Sequence, residues 1–415
     1  MSVIDLDVVS AAAPTARYRP WHRWPGVVAA VAALLLLLGG AAVPVERPWD
    51  RPVVLDGVPL GGMAAAGDTL YLARPGGVVT AHPAGGGQRW SAPLGEADRL
   101  VADAVGDLVL LQGVVADTGP RRVFTAVVEA ATGVPRWRRD GTVRLIDRAA
   151  GLVVLADDPA AVPGPFSYRL LELATGQEVW LWGARPDGAT LTPVGAADGA
   201  LAGLLQRDAA GRTVLLDAAT RRSRPLPDTP QATDAYGTDD GLLLRAFDDA
   251  RVELVMYDWA TLRPRWRVAA PLNGLLLGRC GPWLCVTDGE GTAAVDPADG
   301  QVRWQRPGAP NAPGQPLVLH AFNPAAPAVT LVDPVTGRPV LELAGWTGVG
   351  APAAGRQVAT RWRVDGRTQI VAVELASQRV YPLAEAVVAA DSCVTSERLL
   401  ACRSGAGTLT MWRLG

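Results

Sequence analysis

The chain of 415 residues contains no lysine at all, and only three histidines, three asparagines and three isoleucines. Without lysine there is no phosphate loop of the Walker type, no Schiff-base lysine and no catalytic lysine. Charge of either sign is also scarce in net terms. The basic residues, all arginine, number 39 against 41 acidic residues, a net charge of −2, so nothing points to a nucleic-acid partner held by bulk electrostatics. No Gly-x-Ser-x-Gly elbow occurs, which argues against a serine hydrolase of that type. Beyond the N-terminal region no long amphipathic helical pattern is found. With 46 glycines, 34 prolines and 49% hydrophobic residues, the composition suits a turn-rich fold with an ample core.

One long hydrophobic run is present. Gly26–Val45 is uncharged and, at about 1.5 Å per helical residue, just spans a hydrocarbon core. Arg17, Arg19 and Arg23 precede it, with Trp21 and Trp24 beside them. Glu46, Arg47, Asp50 and Arg51 follow and cancel in charge. This asymmetry predicts a single-pass signal-anchor with the N-terminus in the cytoplasm and the rest of the chain outside. The expected division is a cytoplasmic tail over 1–24, a transmembrane segment over 25–45 and an extracytoplasmic domain over 46–415. A cleaved signal peptide is the other reading, and Gly40-Ala41-Ala42 supplies the small residues it would need. No cysteine follows the run, which argues against a lipid anchor.

The remainder is one internal repeat. An acidic residue closes an apolar strand at Glu129, Glu172, Asp217, Asp258, Asp296, Asp333 and Glu374, with His82 in the first copy. A Thr, Ser or Asp stands three residues later, and Gly133, Gly176, Gly300 and Gly337 one further on. Eight residues after the acidic position stand Trp90, Trp137, Trp180, Trp266 and Trp304, replaced in the weaker copies by Pro225, Leu341 and Pro382. Copies recur 37 to 47 residues apart. Short alternating apolar runs between Gly, Pro and Asp are strand signals, as in Trp283–Thr287, Thr292–Asp296, Val302–Gln305 and Pro316–His320. Four strands per unit predict an all-β protein, a β-propeller of about eight four-stranded blades, with seven to nine possible. A literal count gives nine. Two strands at Leu399–Arg403 and Thr408–Leu414 would complete a last blade with Val53–Leu60 from the N-terminal side, so that no edge is left open. The copy around Asp217, with Thr220-Arg221-Arg222 in place of Thr-Gly, is the first candidate for absorption elsewhere.

Segments 293–304 (AAVDPADGQVRW), 170–180 (LLELATGQEVW) and 127–137 (VVEAATGVPRW) resemble the repeat of PQQ-like propellers, a group that includes quinoprotein alcohol dehydrogenases and BamB-type scaffold lipoproteins. The resemblance covers nearly all of 50–415. It implies the fold, and it leaves function open between a binding or assembly platform and an oxidoreductase holding PQQ with calcium in the central channel. Such enzymes often carry adjacent bonded cysteines at the cofactor, and no two cysteines are adjacent here.

The candidate sites are few. Cys280, Cys285, Cys393 and Cys402 flank turns in equivalent places, which favours local bridges Cys280–Cys285 and Cys393–Cys402, each worth roughly 2 kcal/mol. A four-thiolate zinc site does not fit the spacing. His82 reads as a turn residue and His320 as a structural one. The acidic residues repeat in every unit, as structural acids do, whereas a glycosidase's carboxylate pair would be singular. Asp157-Asp158, Asp239-Asp240 and Asp248-Asp249 lack the alternating pattern of a calcium loop. Arg136, Arg138 and Arg139 around Trp137, and Arg361 and Arg363 around Trp362, interleave cations with an aromatic ring. They read as solvated strand faces beside a packed Trp. Altogether the sequence points to a membrane-anchored, non-enzymatic platform with envelope protein partners and no cofactor. A quinoprotein oxidoreductase and a ligand-binding sensor are the alternatives.

Overall fold

The structure, a computed structural model, describes residues 52–414 apart from 59–60, 116–121, 158–166, 184–189, 197–199, 209–211, 249–250, 273–274, 311–316, 322–326, 389–391 and positions 219, 221, 228, 230 and 354. The expected tail and transmembrane segment therefore lie outside the described residues, as does His22. Among the described residues no helix is long and apolar enough to cross a membrane.

Every regular element described is a strand, and the strands fall into nine consecutive antiparallel units. Unit one comprises Met63–Ala66, Thr69–Arg74, Val78–Pro83 and Trp90–Pro93, and units two to six, eight and nine repeat this four-strand meander. In each unit the first strand lies innermost and the fourth outermost. Unit nine is closed by both ends of the propeller: Cys393–Thr395, Leu399–Arg403 and Leu409–Arg413 take Val53–Leu55 as their outer strand. Unit seven has three strands, Leu317–Ala321, Ala328–Val332 and Pro339–Ala344. Its inner position is marked by a single bridge, Ala309 to His320. The strand expected at Pro316–His320 thus begins unit seven and does not end unit six, whose inner strand is Leu275–Cys280.

The count of about eight holds for hydrogen-bonded sheets, of which one has eight strands and contains two complete units. Unit four is not absorbed. It keeps Thr190–Gly195, Leu201–Arg207, Thr213–Asp217 and Ser223–Leu226, and its inner strand joins that of unit five, Gln231–Thr238, through a parallel bridge at Gly195 and Tyr236. Each border between neighbouring units holds one buried apolar cluster, nine clusters in all among the described residues, and the cluster of Leu399, Met411, Leu70 and Leu72 joins unit nine to unit one. The core is therefore a ring of interfaces and not a single centre, and the ring is closed by the pairing of Val53–Leu55 with Leu409–Arg413.

The repeat motif builds these borders. The acidic residue caps the turn between the third and fourth strands: Glu129 and Glu172 each accept a hydrogen bond from the Thr three residues on, both at 2.6 Å. Asp217 and Asp258 do the same for Thr220 and Thr261, and Glu374 for Ser377. Hydrogen bonds led by the Thr261 amide hold Asp258 below the usual carboxylate range, and those led by the Thr336 amide do so for Asp333. Just before the Trp, the fourth strand carries a bulge. Val127 and Val128 face Trp137 and Pro135, so that Arg136 is the extra residue; units three, five, six and seven repeat the shift. The bulge turns the Trp toward the next unit.

There the Trp meets a glycine. A Cβ on Gly133, Gly176, Gly300 or Gly337 would lie 2.4, 2.5, 2.8 or 2.5 Å from an atom of Trp90, Trp137, Trp266 or Trp304 of the preceding unit. The indole N–H groups donate to the turn carbonyls of Ala130, Leu173, Pro297 and Pro334 at 2.7 to 3.0 Å. The motif's glycine therefore answers two demands, a positive φ in its own turn and room for its neighbour's ring.

Candidate functional site

The arginine clusters are largely consumed by the same borders. Arg136 pairs with Glu129 at 2.7 Å, Arg139 donates to the carbonyl of Gly176 in the next unit, and Arg306 does likewise to Gly337. Arg138 donates to the Leu94 carbonyl of unit one and lies over the ring of Phe124. The bulge at Arg136 also breaks the simple alternation that would place Arg136 and Arg138 on one face. In the second cluster Arg361 lies over Trp346 and Arg363 pairs with Asp365 and Glu385. Trp362, expected to be packed, is 58% exposed. It ends the second strand of unit eight, and Val364 in the following turn and Val387 beyond the outer strand are also exposed. Register places Trp362, Thr368 and Ala386 in one row, so Trp362, Val364 and Val387 lie at the same end of the sheet of unit eight.

The cysteines form two bridges, Cys280–Cys285 and Cys393–Cys402, each between an inner strand and the strand after it. His82 is buried at the first turn; its Nδ1–H donates to Gly87 and its Nε2 accepts from Thr80 in the neutral ring. Burial lowers its pKa. His320 is 1% exposed, its ring lies against Gly348 of unit eight, and burial pushes its pKa down to about 4. Asp157 is taken up by Ser167 and Arg169, and Asp239 and Asp240 by Arg279. Asp158 and Asp249 lie outside the described residues. No three His, Cys, Asp or Glu converge among the described residues.

Two cavities open where inner strands meet. One, about 440 Å³, is lined by the ends of the inner strands of units one, two and nine, by Pro352 of unit eight and by Arg148, whose guanidinium grips both oxygens of Asp103 at 2.7 Å. The other, about 520 Å³, lies between the inner strands of units three, four and five and takes in Arg144, Tyr168, Pro193, Asp234 and Tyr236. Two local irregularities shape it. The inner strand of unit three carries a bulge at Arg144, which faces no partner residue, and that of unit five is irregular between Ala232 and Asp234. Asp234 stands opposite Arg245, its Oδ2 3.6 Å from the guanidinium. Burial raises the Asp234 carboxyl despite that arginine, and burial also raises the Tyr168 phenol. None of these residues belongs to the repeat motif, and a bulge leaves no mark in an alternating pattern, so sequence reading passes over them.

Comparison with known proteins bears on the repeat. Residues 54–181 match a family model described as outer membrane protein assembly factor BamB. The match runs through units one and two and nearly all of unit three. Among solved structures, BamB from Moraxella catarrhalis aligns with 88% of this chain and 96% of its own length at 13% identity and a TM-score of 0.44. A quinohemoprotein alcohol dehydrogenase from Pseudomonas putida HK5 aligns with 85% of this chain and 66% of its own at 13% identity and a TM-score of 0.30. That of Comamonas testosteroni gives the same coverage at 14% identity and 0.36. No match was found among the curated proteins.

Proposed function

We propose that this protein is a non-enzymatic platform, held at the cytoplasmic membrane by residues 25–45, whose propeller binds protein partners of the cell envelope. The carrying observation is the rim of unit eight, where Trp362, Val364 and Val387 stand exposed at one end of the sheet. Exposed aromatic residues clustered with apolar neighbours are typical anchors of protein interfaces. Arg363 and Glu385 beside them supply the polar rim such an interface needs. The matched family model is named for an assembly factor, which accords with the same class of role.

The test is site-specific photocrosslinking in intact cells. A photoreactive phenylalanine at position 362 is expected to capture a discrete envelope protein, while the same probe at exposed Val302, on the outer strand of unit six, captures none. Equal labelling from both positions, or none from 362, contradicts the platform reading. A stoichiometric absorbance band on adding PQQ with calcium would favour the oxidoreductase instead.

A further inference from the structure

We propose that the cavity between the inner strands of units three, four and five is a binding site for a small organic monocarboxylate, seated on the guanidinium of Arg144. The site is separate from the rim of unit eight, and neither depends on the other.

The argument starts from charge. Arg144 is exposed into this cavity and has no ion-pair or hydrogen-bond partner among the described residues. Other arginines around the inner strands are paired: Arg148 holds Asp103, Arg279 holds Asp240, and Arg245 faces Asp234. The carboxylate nearest in the cavity, Asp234, is thus already matched by Arg245 from the strand behind it, and Arg144 is left as the uncompensated cation.

Geometry adds to this. Arg144 is the extra residue of a bulge, the device by which a strand re-aims one side chain out of its alternating row. A second irregularity sits beside Asp234 on the opposite wall. The floor between them is fixed by the parallel bridge from Gly195 to Tyr236, so the wall is hydrogen-bonded across two units. A volume of about 520 Å³ falls within the range of roughly 300–1,000 Å³ usual for small-molecule sites.

The lining selects the ligand class. A guanidinium fork matches a carboxylate through two parallel hydrogen bonds. Arg144 is the one basic residue among those lining the cavity, so it matches the single charge of a monocarboxylate and leaves the second charge of a phosphate monoester without a cation. Leu145, Pro193, Ala196 and Ala235, with Tyr168, offer an apolar and aromatic wall for the ligand's body. The Tyr168 phenol is protonated at neutral pH, burial moving its pKa further up from its ordinary value, and it is available as a donor. One carboxylate on a compact apolar or aromatic body satisfies all of these groups.

The experiment is calorimetric titration of the full-length chain in detergent with 3-phenylpropanoate, 3-phenylpropanol and phenyl phosphate. The carboxylate is expected to bind saturably and the alcohol at least tenfold more weakly. Arg144→Ala should weaken the carboxylate at least tenfold with an unchanged melting midpoint, since Arg144 makes no ion pair or side-chain hydrogen bond among the described residues. Equal binding of alcohol and carboxylate, tighter binding of the phosphate to the native chain, or no saturable binding up to about 10 mM overturns the proposal. So does an Arg144→Ala chain that binds the carboxylate unchanged.

Discussion

The border between units six and seven and the border between units seven and eight use the same two positions of the repeat and fill them differently. At the first, Trp304 lies on Gly337 and donates to Pro334. At the second, the Trp position holds Leu341 and the Gly position holds Gln378, which keeps a left-handed φ of 58°. The same exchange occurs between units four and five, where Pro225 stands at the Trp position and Leu262, at φ 52°, at the Gly position. Leu262 and Gln378 are the only non-glycine residues with positive φ among those described, and both follow a unit without the Trp. Ring and glycine are therefore one device split across two units: the turn tolerates a side chain where no ring arrives. Unit four departs in the other direction. Trp180 is present but Arg221 stands at the Gly position, and Trp180 stacks instead on Trp182 with centroids 4.3 Å apart. Where the ring closes, Val53 takes the place of the indole, at 3.1 Å from a Cβ on Gly86.

The largest expected effect comes from deleting the ring. Trp304→Ala should cost about 3–5 kcal/mol of stability, measured by denaturant unfolding, because it removes a buried indole and its hydrogen bond together. Leu341→Ala, at the plain border, should cost less.

The second effect separates the borders by pH. His320 packs across the seven–eight border and is held neutral, its pKa lowered to about 4 from the usual 6.5. A depressed folded-state pKa means the unfolded chain binds the proton more readily. The contribution is complete above pH 6.5 and is lost as pH falls from 6.5 toward 4, by about 3 kcal/mol in all. Melting curves across that window should show the step, and His320→Gln should flatten it.

A smaller loss is expected from Gly337→Ala, about 1–3 kcal/mol, since the methyl would collide with the Trp304 ring and strain a turn at φ 67°. The smallest effect tests the pairing itself. Leu341→Trp with Gln378→Gly should install the missing ring-on-glycine contact and gain about 1 kcal/mol, whereas either change alone gains less; a double-mutant cycle reads the coupling. Additive effects there would mean the two positions are independent.

Much of this was legible in the sequence. The offset of eight from acid to Trp set the period, the strands and the closure by Val53–Leu55 and Leu409–Arg413. The spacing also set the cysteine partners. What spacing does not reveal is contact between units. Gly133 reads as a turn glycine, and its second role appears only when Trp90 of the previous unit is seen above it. Bulges hide for a related reason, since Arg136 and Arg144 look like members of an alternating row until the register skips them. Trp362 was expected to pack as the repeat tryptophans do, but it ends a second strand and not a fourth, so no glycine turn awaits it.

The measurement that tests the account most directly is native-state hydrogen exchange of the full chain, followed by mass spectrometry at pH 7 and again near pH 5. Amides at the seven–eight border should exchange before those at the six–seven border, and acid should widen that lead. Early exchange at the Trp304–Gly337 border, or uniform exchange around the ring at both pH values, would contradict the claim that the ring-on-glycine contacts set its strong and weak borders.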